Sequence, residues 1–391
     1  MGEPQTTSKG HTRRTEWDLP DPVAWLVAAI AIVARAALLP YASEDATNFL
    51  LPWMLEFRNR GASALVGDFS NYNFPYLFLM FLASHLPADP LAAIKIVSLA
   101  GDCFLAVSVA ALVSQFPTAR VSPRLAALVA LFLPTVLLNA SMWGQCDSIY
   151  TAFLLFSLRS LLRDDGRSAW LFWGIAFSFK LQSVFFLPAL VMVSLRNRYS
   201  IFFPLLAGGV WATLSLPPVL YGRSAANALG VYMAQTQGDR LLSGAANIFA
   251  WFPQASVAQG RWWGIALCAA VVGLAGVAYW RGKDSNQRRI LLAVFTLAAC
   301  PLLLPQMHDR YFFSVEVMSL LMLRANNLQI IPWLLSGTGL TVYVLYFVSN
   351  HYAWPLMILS VVQAFGVLLL WHWLAKNADP WAHSRLVSVS P

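Results

Sequence analysis

The chain has 391 residues, of which 58% are hydrophobic and 11% carry a charged side chain. Soluble proteins carry about 25% charged residues, so the composition excludes an ordinary soluble enzyme. Repeated apolar runs predict transmembrane helices instead, because about 20 helical residues span a hydrocarbon core of roughly 30 Å. We therefore predict an all-α polytopic membrane protein.

The net charge of +8 indicates topology, because Lys and Arg collect in cytoplasmic loops, and we expect no nucleic-acid partner. The four cysteines are scattered through the apolar runs, without the spacing of a disulfide framework or a zinc site. The chain also lacks the motifs of phosphate-binding loops, dinucleotide sites, zinc proteases and serine hydrolases. No cofactor follows from these motifs.

The first elements in the chain are a polar segment and one membrane span. Residues 1–21 are predicted to be a disordered cytoplasmic N-terminus, and residues 22–40 a transmembrane helix that leads outward. The loop that follows, 41–76, holds four of the 18 acidic residues, and such a cluster beside a span favours a functional site. We predict that this first outer loop is the catalytic loop.

Two short helices are predicted within or beside the first outer loop. Residues 49–60 have the pattern of an amphipathic helix lying on the membrane interface. The residues predicted to share its apolar face are Leu50, Trp53, Met54 and Phe57. The apolar run 75–86 is too short to cross a membrane, so we predict that it is interfacial or re-entrant.

Eleven further spans complete a predicted set of twelve, with both termini inside. Residues 168–180 and 182–195 are interpreted as a pair of short helices that turn at Lys180. We treat 22–375 as a single transmembrane domain and 376–391 as a cytoplasmic tail. The other predicted spans are 91–115, 123–138, 148–163, 200–220, 262–280, 290–305, 311–324, 328–349 and 355–374.

The loops between these spans give the predicted orientation. Most Lys and Arg residues fall in segments on the inner side, as cytoplasmic loops require. These include Arg120, Arg288 and Arg289. Asp45, Asp147 and His308 then share the outer side. A second outer loop, 221–261, is rich in Gln and is predicted to be a lid or a second substrate wall.

Four groups of polar residues fall at the outer ends of the predicted spans, and the first is Glu44 with Asp45. An acid at a membrane surface can be a solvated residue or a helix cap. A carboxylate near the lipid headgroups also suits a general base, which removes the proton of an acceptor hydroxyl. We predict this second role for Asp45, because an unperturbed Asp, with a pKa of about 3.9, is ionised at neutral pH.

The second group, 139–147, precedes a predicted span, and the third is 177–182. Gln145 and Asp147 in the second group either line a cavity or cap a helix. Lys180 in the third group lies among apolar residues, and a cation at membrane depth costs ~3 kcal/mol or more. It either snorkels to the interface or binds a phosphate, and we favour the phosphate.

The fourth group is the cluster of His308, Asp309 and Arg310 between two predicted spans. The planar guanidinium of Arg suits phosphate oxygens, and such a cation stabilises the charge that develops when a phosphodiester leaves. Loop charges are also common without any such role. Arg35, within the first span, either joins these cations or pairs with an acid such as Asp102.

Five motifs follow one another in an order known from one family. They are SEDATNFLLPW (43–53), SNYNFPYL (70–77), WGQCDSIYTAF (143–153), FSFKLQSVFFLP (177–188) and PQMHDRYFF (305–313). From about residue 25 to 320 the chain resembles bacterial members of the glycosylphosphatidylinositol mannosyltransferase II-like family, within the GT-C superfamily of integral-membrane glycosyltransferases. It departs from the pattern at Glu44, where a small residue is usual, and at Asn73 and Phe74, where Thr-Pro is usual.

The resemblance implies a GT-C-type fold and an inverting glycosyltransferase of the bacterial inner membrane, with its active site on the periplasmic side. The donor would be a hexose, mannose or similar, on a polyprenyl phosphate. The acceptor would be a hydroxyl of a lipid-linked glycan, a polysaccharide or a protein. Asp45 would be the catalytic base, and Lys180, His308 and Arg310 would bind the donor phosphate. The residues assigned to substrate binding are Glu44, Asn48, Tyr72, Gln145, Asp147 and Gln182.

Alternatives stay open at this point. A helical membrane protein with charges in its spans also fits a transporter or lipid flippase, although no internal repeat is visible and the polar groups gather on one side. A catalytically silent assembly subunit is a third reading. A divalent cation would fit the site if Glu44, Asp45 and Asp147 converge.

Overall fold

The computed structural model describes residues 18–116, 121–236, 238–325, 327–348, 353–376 and 381. These residues are predominantly helical, which confirms the all-α prediction, and they include one two-stranded sheet. The predictions for residues 1–17, Arg120 and most of the 376–391 tail lie outside the described residues. The strands are β1 (Leu242–Ser243) and β2 (Met307–His308). The α-helices are α1 (Asp21–Leu38), α2 (Leu51–Arg60), α3 (Phe74–Ser84), α4 (Pro90–Val113), α5 (Pro123–Leu131), α6 (Pro134–Leu138), α7 (Asp147–Leu161), α8 (Gly166–Phe179), α9 (Leu187–Arg196), α10 (Phe203–Ser215), α11 (Ala225–Leu229), α12 (Val231–Gln235), α13 (Val257–Arg281), α14 (Asn286–Leu303), α15 (Phe313–Ser319), α16 (Ile330–Val348) and α17 (Ala353–Ala375).

Among the described residues, six helices are long and apolar enough to cross a membrane, or seven spans if one bent pair is counted. The bent pair joins Pro123–Leu131 to Pro134–Trp143 at an angle of 55°. Pro134 explains the break, because proline has no amide hydrogen to donate to the preceding turn. The six helices are Asp21–Leu38, Pro90–Val113, Phe203–Tyr221, Val257–Arg281, Ile330–Val348 and Trp354–Ala375. These seven spans coincide with seven of the twelve predicted ones.

The other five predicted spans correspond to helices that are shorter, broken or more polar. They are α7, α8, Leu181–Arg196, α14 and Phe313–Leu323. In α14 every side chain from Arg288 to Leu303 is buried, and a helix buried all round is surrounded by protein instead of lipid. The number of twelve therefore stays a prediction, while the structure has the character of an α-helical membrane protein.

The first outer loop packs against the helices that follow it. A π-helical turn at Ala46–Leu50 leads into α2. The apolar face predicted for this segment is confirmed: its four residues are each at most 6% exposed. This face packs in one apolar cluster with Tyr76, Leu77 and Met80 of α3 and with residues of α4. The segment is therefore covered by protein on the side that was expected to lie on the membrane interface.

Asn73, where the sequence departs from the family pattern, ties the first outer loop to two distant helices. Its Oδ1 accepts a hydrogen bond from the Phe74 amide (2.8 Å) and so caps α3. Its Nδ2 donates to the Ser178 carbonyl (3.0 Å) and to Ser215 Oγ (2.8 Å). The apolar run 75–86 was predicted to be too short to cross a membrane, and this is confirmed, because the helix there, α3, has only 11 residues.

The charges in the first two spans serve structural contacts. Arg35 forms a buried ion pair with Asp102 at 2.8 Å, which confirms that of the two alternatives it pairs with this acid. Asp102 also accepts a hydrogen bond from Ser148 Oγ (2.6 Å). Lys95 Nζ donates to the Leu39 carbonyl (2.9 Å) at the end of α1. The first half of α4 therefore lies beside the end of α1 that leads into the first outer loop.

Candidate active site

Asp45 is held in place by its backbone and by the residues around it. Its amide donates to the hydroxyl of Tyr346 (3.1 Å) in α16. Two positions earlier, Ser43 Oγ accepts from the Ala46 amide (3.1 Å) and donates to the Trp143 carbonyl (3.0 Å). The start of the first outer loop is thereby fixed to the segment before α7 and to α16, two regions that are far apart in sequence.

The two oxygens of the Asp45 carboxylate differ in their contacts. Oδ2 accepts three hydrogen bonds: from Trp143 Nε1 (3.0 Å), Gln145 Nε2 (3.2 Å) and Arg310 Nη1 (2.7 Å). Oδ1 accepts none within the described residues. The side chain is 23% exposed and lines a cavity. One oxygen therefore fixes the carboxylate while the other keeps its capacity to accept a proton.

The surroundings of Asp45 favour its charged form. Burial raises the pKa of the Asp45 carboxyl, but the nearby Arg310 charge and the Trp143 hydrogen bond lower it by more, so that the net pKa lies below the ordinary 3.8. The carboxylate is consequently ionised at neutral pH. It meets this requirement for a base without losing contact with the cavity.

Lys180 lies where α8 ends. Its backbone is extended (φ −155°, ψ 136°) and separates α8 from a 3-10 turn at Leu181–Phe186, so the predicted turn at Lys180 is confirmed. Its Nζ donates to Asp147 Oδ1, and the two side chains are 6% and 2% exposed. The ammonium group also lies 5.5 Å from the centroid of the Tyr72 ring.

Arg310 connects Asp45 with Asp147. Its Nη1 donates to Asp45, and its Nε lies 3.9 Å from Asp147 Oδ2. The same Oδ2 of Asp147 accepts a hydrogen bond from Asn139 Nδ2 (2.7 Å). We call Asp45, Asp147, Lys180 and Arg310 the site cluster. It sets two carboxylates against two cations, and Nε and Nη2 of Arg310 make no hydrogen bond within the described residues.

The second outer loop supports the segment that carries His308. Strands β1 and β2 are parallel, with Ser243 opposite His308. The carboxylate of Asp309 packs against Gly244, whose φ is +95° and whose added Cβ would lie 3.1 Å from Asp309 Oδ2. Burial raises the pKa of Asp309 to about 7, although Arg310 opposes the rise. Glycine is needed here both for the left-handed backbone and for space.

The cavity at the site cluster has a volume of about 160 Å³ and mixed polar and aromatic walls. Tyr72 donates to Gln145 Oε1 (2.9 Å), and Gln145 in turn donates to Asp45. Gln235 of the second outer loop donates to the Asn71 carbonyl (2.6 Å) and also lines the cavity. The lining residues are Asp45, Phe49, Leu50, Trp53, Asn71, Tyr72, Gln145, Phe179, Lys180, Gln182, Gln235, His308, Arg310 and Tyr311.

The predicted site residues fall into three sets. Seven of the ten line the cavity, and Asp147 lies buried just behind it, bound to Lys180. Glu44 and Asn48 are exposed and do not line it. The convergence of Glu44, Asp45 and Asp147 that a divalent cation would require is therefore not formed. Among the described residues no group of three or more His, Cys, Asp or Glu side chains is arranged to hold a metal ion.

Several residues of the site were not identified from sequence. Trp143, in the second polar group, was assigned no role at the site, yet it is fully buried, donates to Asp45 and stacks on Tyr346 at 4.0 Å between ring centroids. Its neighbour Gly144 has a left-handed backbone, with φ +78°. Asn139, within the second polar group, supports Asp147. Tyr346 lies 301 positions from Asp45, and no local pattern marks it.

No protein-family model matches the chain, and neither does any curated protein.

Proposed function

We propose that this chain is an inverting glycosyltransferase with a GT-C-type fold, in which the other five predicted spans complete a set of about twelve. A hexose, mannose or similar, moves from a polyprenyl phosphate to an acceptor hydroxyl of a lipid-linked glycan, polysaccharide or protein, on the periplasmic side of a bacterial inner membrane. The observation that carries the proposal is the Asp45 carboxylate, which lines a cavity with one oxygen unbonded within the described residues.

In the proposed reaction Asp45 Oδ1 takes the proton of the acceptor hydroxyl while the hydroxyl oxygen attacks the anomeric carbon. The bond between that carbon and the phosphate oxygen breaks on the opposite face, and its electron pair stays on the phosphate. The configuration at the anomeric carbon inverts. The three donors on Oδ2 hold the carboxylate in one orientation, which a positioned base requires.

The leaving phosphate is assigned to the cations that line the cavity. Within the described residues Arg310 donates to Asp45 through Nη1 alone, and its buried Nε lies 3.9 Å from Asp147 Oδ2. Nη2 is therefore the donor assigned to a phosphate oxygen. Lys180 has three ammonium protons and directs one of them to Asp147. His308 lines the same cavity and adds a ring nitrogen. Positive charge at the departing oxygens lowers the barrier for bond cleavage.

Substitution of Asp45 by Asn tests the proposal. The purified protein in detergent receives undecaprenyl-phosphate mannose labelled in the sugar, with a glycolipid and polysaccharide fraction of the host envelope as acceptor. Because a general base contributes about 10²–10⁴-fold, Asp45→Asn should reduce labelled product by about that factor. The matched control is Glu56→Gln in the same loop, whose acid is 39% exposed and pairs with Arg60, and it should stay within about twofold.

The same assay separates the alternatives. Equal transfer by the wild type and Asp45→Asn removes Asp45 from the mechanism. Product made in detergent excludes a transporter or flippase as the sole activity, because those proteins need a closed membrane to register any effect. Label that moves only across sealed vesicles, without a new covalent product, contradicts the transferase.

A further inference from the structure

Glu316 is a buried acid that the proposed reaction does not use. It lies in α15 and is only 1% exposed. A Cβ added at Gly339 of α16 would lie 2.9 Å from Glu316 Oε2 and closer still to Oε1. The carboxyl group therefore packs directly on the backbone of the neighbouring helix, in the space that this glycine leaves.

No positive side chain compensates Glu316 within the part of the chain that the structure describes. Lys180 and Arg310 are paired with the two acids of the site cluster, so the four charges of that cluster balance one another. An ionised carboxylate in an apolar interior is so costly that it is normally paired or protonated. Glu316 therefore needs either a proton or a cation from solution.

Three buried side-chain oxygens in this region accept and donate no hydrogen bond among the described residues: Glu316 Oε2, Thr135 Oγ1 and Asn139 Oδ1. Thr135 of α6 lies beside the Glu316 carboxyl group. Asn139 Nδ2 donates to the hydroxyl of Tyr343 (3.1 Å), which lies on α16 one turn after Gly339. Buried polar atoms are normally bonded, so these three oxygens have the capacity to bind a ligand.

A monovalent cation fits this arrangement better than a proton does. A proton would neutralise the carboxylate and allow one further hydrogen bond, but it would leave the remaining oxygens unbonded. A cation takes several oxygen ligands at once, and hard cations prefer carboxylate, carbonyl and hydroxyl oxygens. Because the site contains a single acid, one positive charge is enough to balance it.

We propose that Na⁺ binds between α6, α15 and α16, with Glu316, Thr135 and Asn139 as its side-chain ligands. The two hydrogens of Asn139 Nδ2 are used by Asp147 Oδ2 (2.7 Å) and by Tyr343. A cation on Asn139 Oδ1 therefore fixes the amide in the orientation that supports Asp147. The bound Na⁺ thereby stabilises the buried side of the site cluster, whatever reaction the cavity carries out.

Thermal unfolding of the purified protein in detergent tests the assignment in NaCl, KCl and choline chloride at equal ionic strength. Because Na⁺ binds the folded protein, the wild type should unfold at least about 2 °C higher in NaCl than in choline chloride. KCl should give a smaller shift, because the larger ion fits less well against the backbone at Gly339. Glu316→Gln keeps the shape of the side chain without its charge and should lose the shift. Retention of radioactive Na⁺ by the purified protein should show the same loss.

A second pair of variants covers the case in which Glu316→Gln does not fold. Thr135→Val removes one ligand and nearly keeps the shape of the side chain, so it should reduce both the shift in NaCl and the retained Na⁺. The matched control is Thr296→Val in α14. Thr296 is also fully buried, but its Oγ1 already donates to the Ala293 carbonyl (3.1 Å), so this variant should keep the shift of the wild type.

Equal unfolding temperatures of the wild type in NaCl and choline chloride would overturn the proposal, since a proton or water would then occupy the site. A shift that persists in both Glu316→Gln and Thr135→Val would place the ion elsewhere. An equal shift in KCl would contradict the choice of Na⁺. None of these measurements involves sugar transfer, so their outcome is separate from that of the proposed function.

Discussion

Two ion clusters, each built around a largely buried arginine, lie at opposite ends of α7, about 21 Å apart along the helix axis. The site cluster lies at Asp147, where α7 begins, and a second cluster centres on Arg289, beside Leu161, where α7 ends. We call Arg289, Asp284, Asp164 and Asn197 the Arg289 cluster. The two resemble each other in composition, since each sets an arginine against two acids inside a largely apolar protein.

The clusters differ in how completely their arginine is bonded. Arg289 donates from Nε to Asp284 Oδ1 (3.2 Å), from Nη1 to the Leu161 carbonyl (2.6 Å) and from Nη2 to Asn197 Oδ1 (3.1 Å). Arg310 makes hydrogen bonds through Nη1 alone within the described residues. The Arg289 cluster therefore ties together the ends of helices, whereas the site cluster keeps donors free beside a cavity.

The difference shows how a functional cluster is distinguished from a structural one. Buried polar groups in native proteins are normally bonded, and each exception calls for an explanation. A buried ion pair is by itself weak evidence for either stability or function. Unused hydrogen-bonding capacity that faces a cavity is the stronger sign, and Asp45 Oδ1 and Arg310 Nη2 both show it within the described residues.

Among the substitutions that test the difference between the two clusters, Arg310→Gln should have the largest effect. This change removes the charge that faces Asp45 and the donors assigned to the phosphate, so kcat/KM for sugar transfer should fall about 10²–10³-fold, as for loss of an oxyanion donor. Steady-state kinetics in detergent measure it. Arg310→Lys keeps the charge but not the planar fork, and it should recover only part of the loss. Full activity in Arg310→Gln would place this cation outside the reaction.

Arg289→Gln should affect stability and leave the chemistry intact. Breaking a buried ion pair costs about 3–5 kcal/mol, and we expect about 3 kcal/mol here because Asp164 is 67% exposed and stays hydrated. Denaturant unfolding in detergent measures the change. The rate of transfer per folded molecule should match the wild type. A selective loss of turnover without loss of stability would contradict the structural role of the Arg289 cluster.

The smallest expected effect is a shift in the pH dependence of sugar transfer. The pKa of Asp45 lies below 3.8, so the acid limb of kcat/KM should lie below about pH 4 in the wild type. In Arg310→Gln burial persists without its main opposing charge, and the limb should move to higher pH. The stability that the Asp45–Arg310 pair contributes is present above the unfolded-state pKa and is lost as pH falls through the lower folded-state pKa. An identical limb in both proteins would show that Arg310 does not tune Asp45.

Features with a local physical cause were predictable from the sequence. The apolar face of the 49–60 segment follows from helical spacing, and all four residues of that face are buried. The turn at Lys180 was predicted because a cation interrupts an apolar run there, and the structure has α8 ending at that residue. The Arg35–Asp102 pair was among the alternatives because two opposite charges in neighbouring spans have few other ways to be neutralised.

Features that depend on long-range packing were not predictable. Arg288 and Arg289 were interpreted as loop charges on the inner side, yet they are 4% and 5% exposed within α14. The guanidinium groups of both residues donate to carbonyls near the ends of α7, α13 and α17. No local sequence pattern predicts these contacts. The contact of Trp143 and Tyr346 with Asp45 likewise joins three separate regions. The ion pair of Lys180 with Asp147 was missed because each was interpreted separately.

The pairing of β1 with β2 has a consequence for how the wall of the cavity is held together. The segment around His308 is held by backbone bonds, including Gln306 N to the Leu241 carbonyl (2.7 Å) and Ala245 N to the Met307 carbonyl (3.3 Å). On the other side a side-chain bond, from Gln235 to the Asn71 carbonyl, links the second outer loop to the first. Asp68 of the first loop also accepts from Asn227 and pairs with Arg223 (2.7 Å) of the second, so the wall of the cavity is joined through side chains on this side and through the backbone at His308.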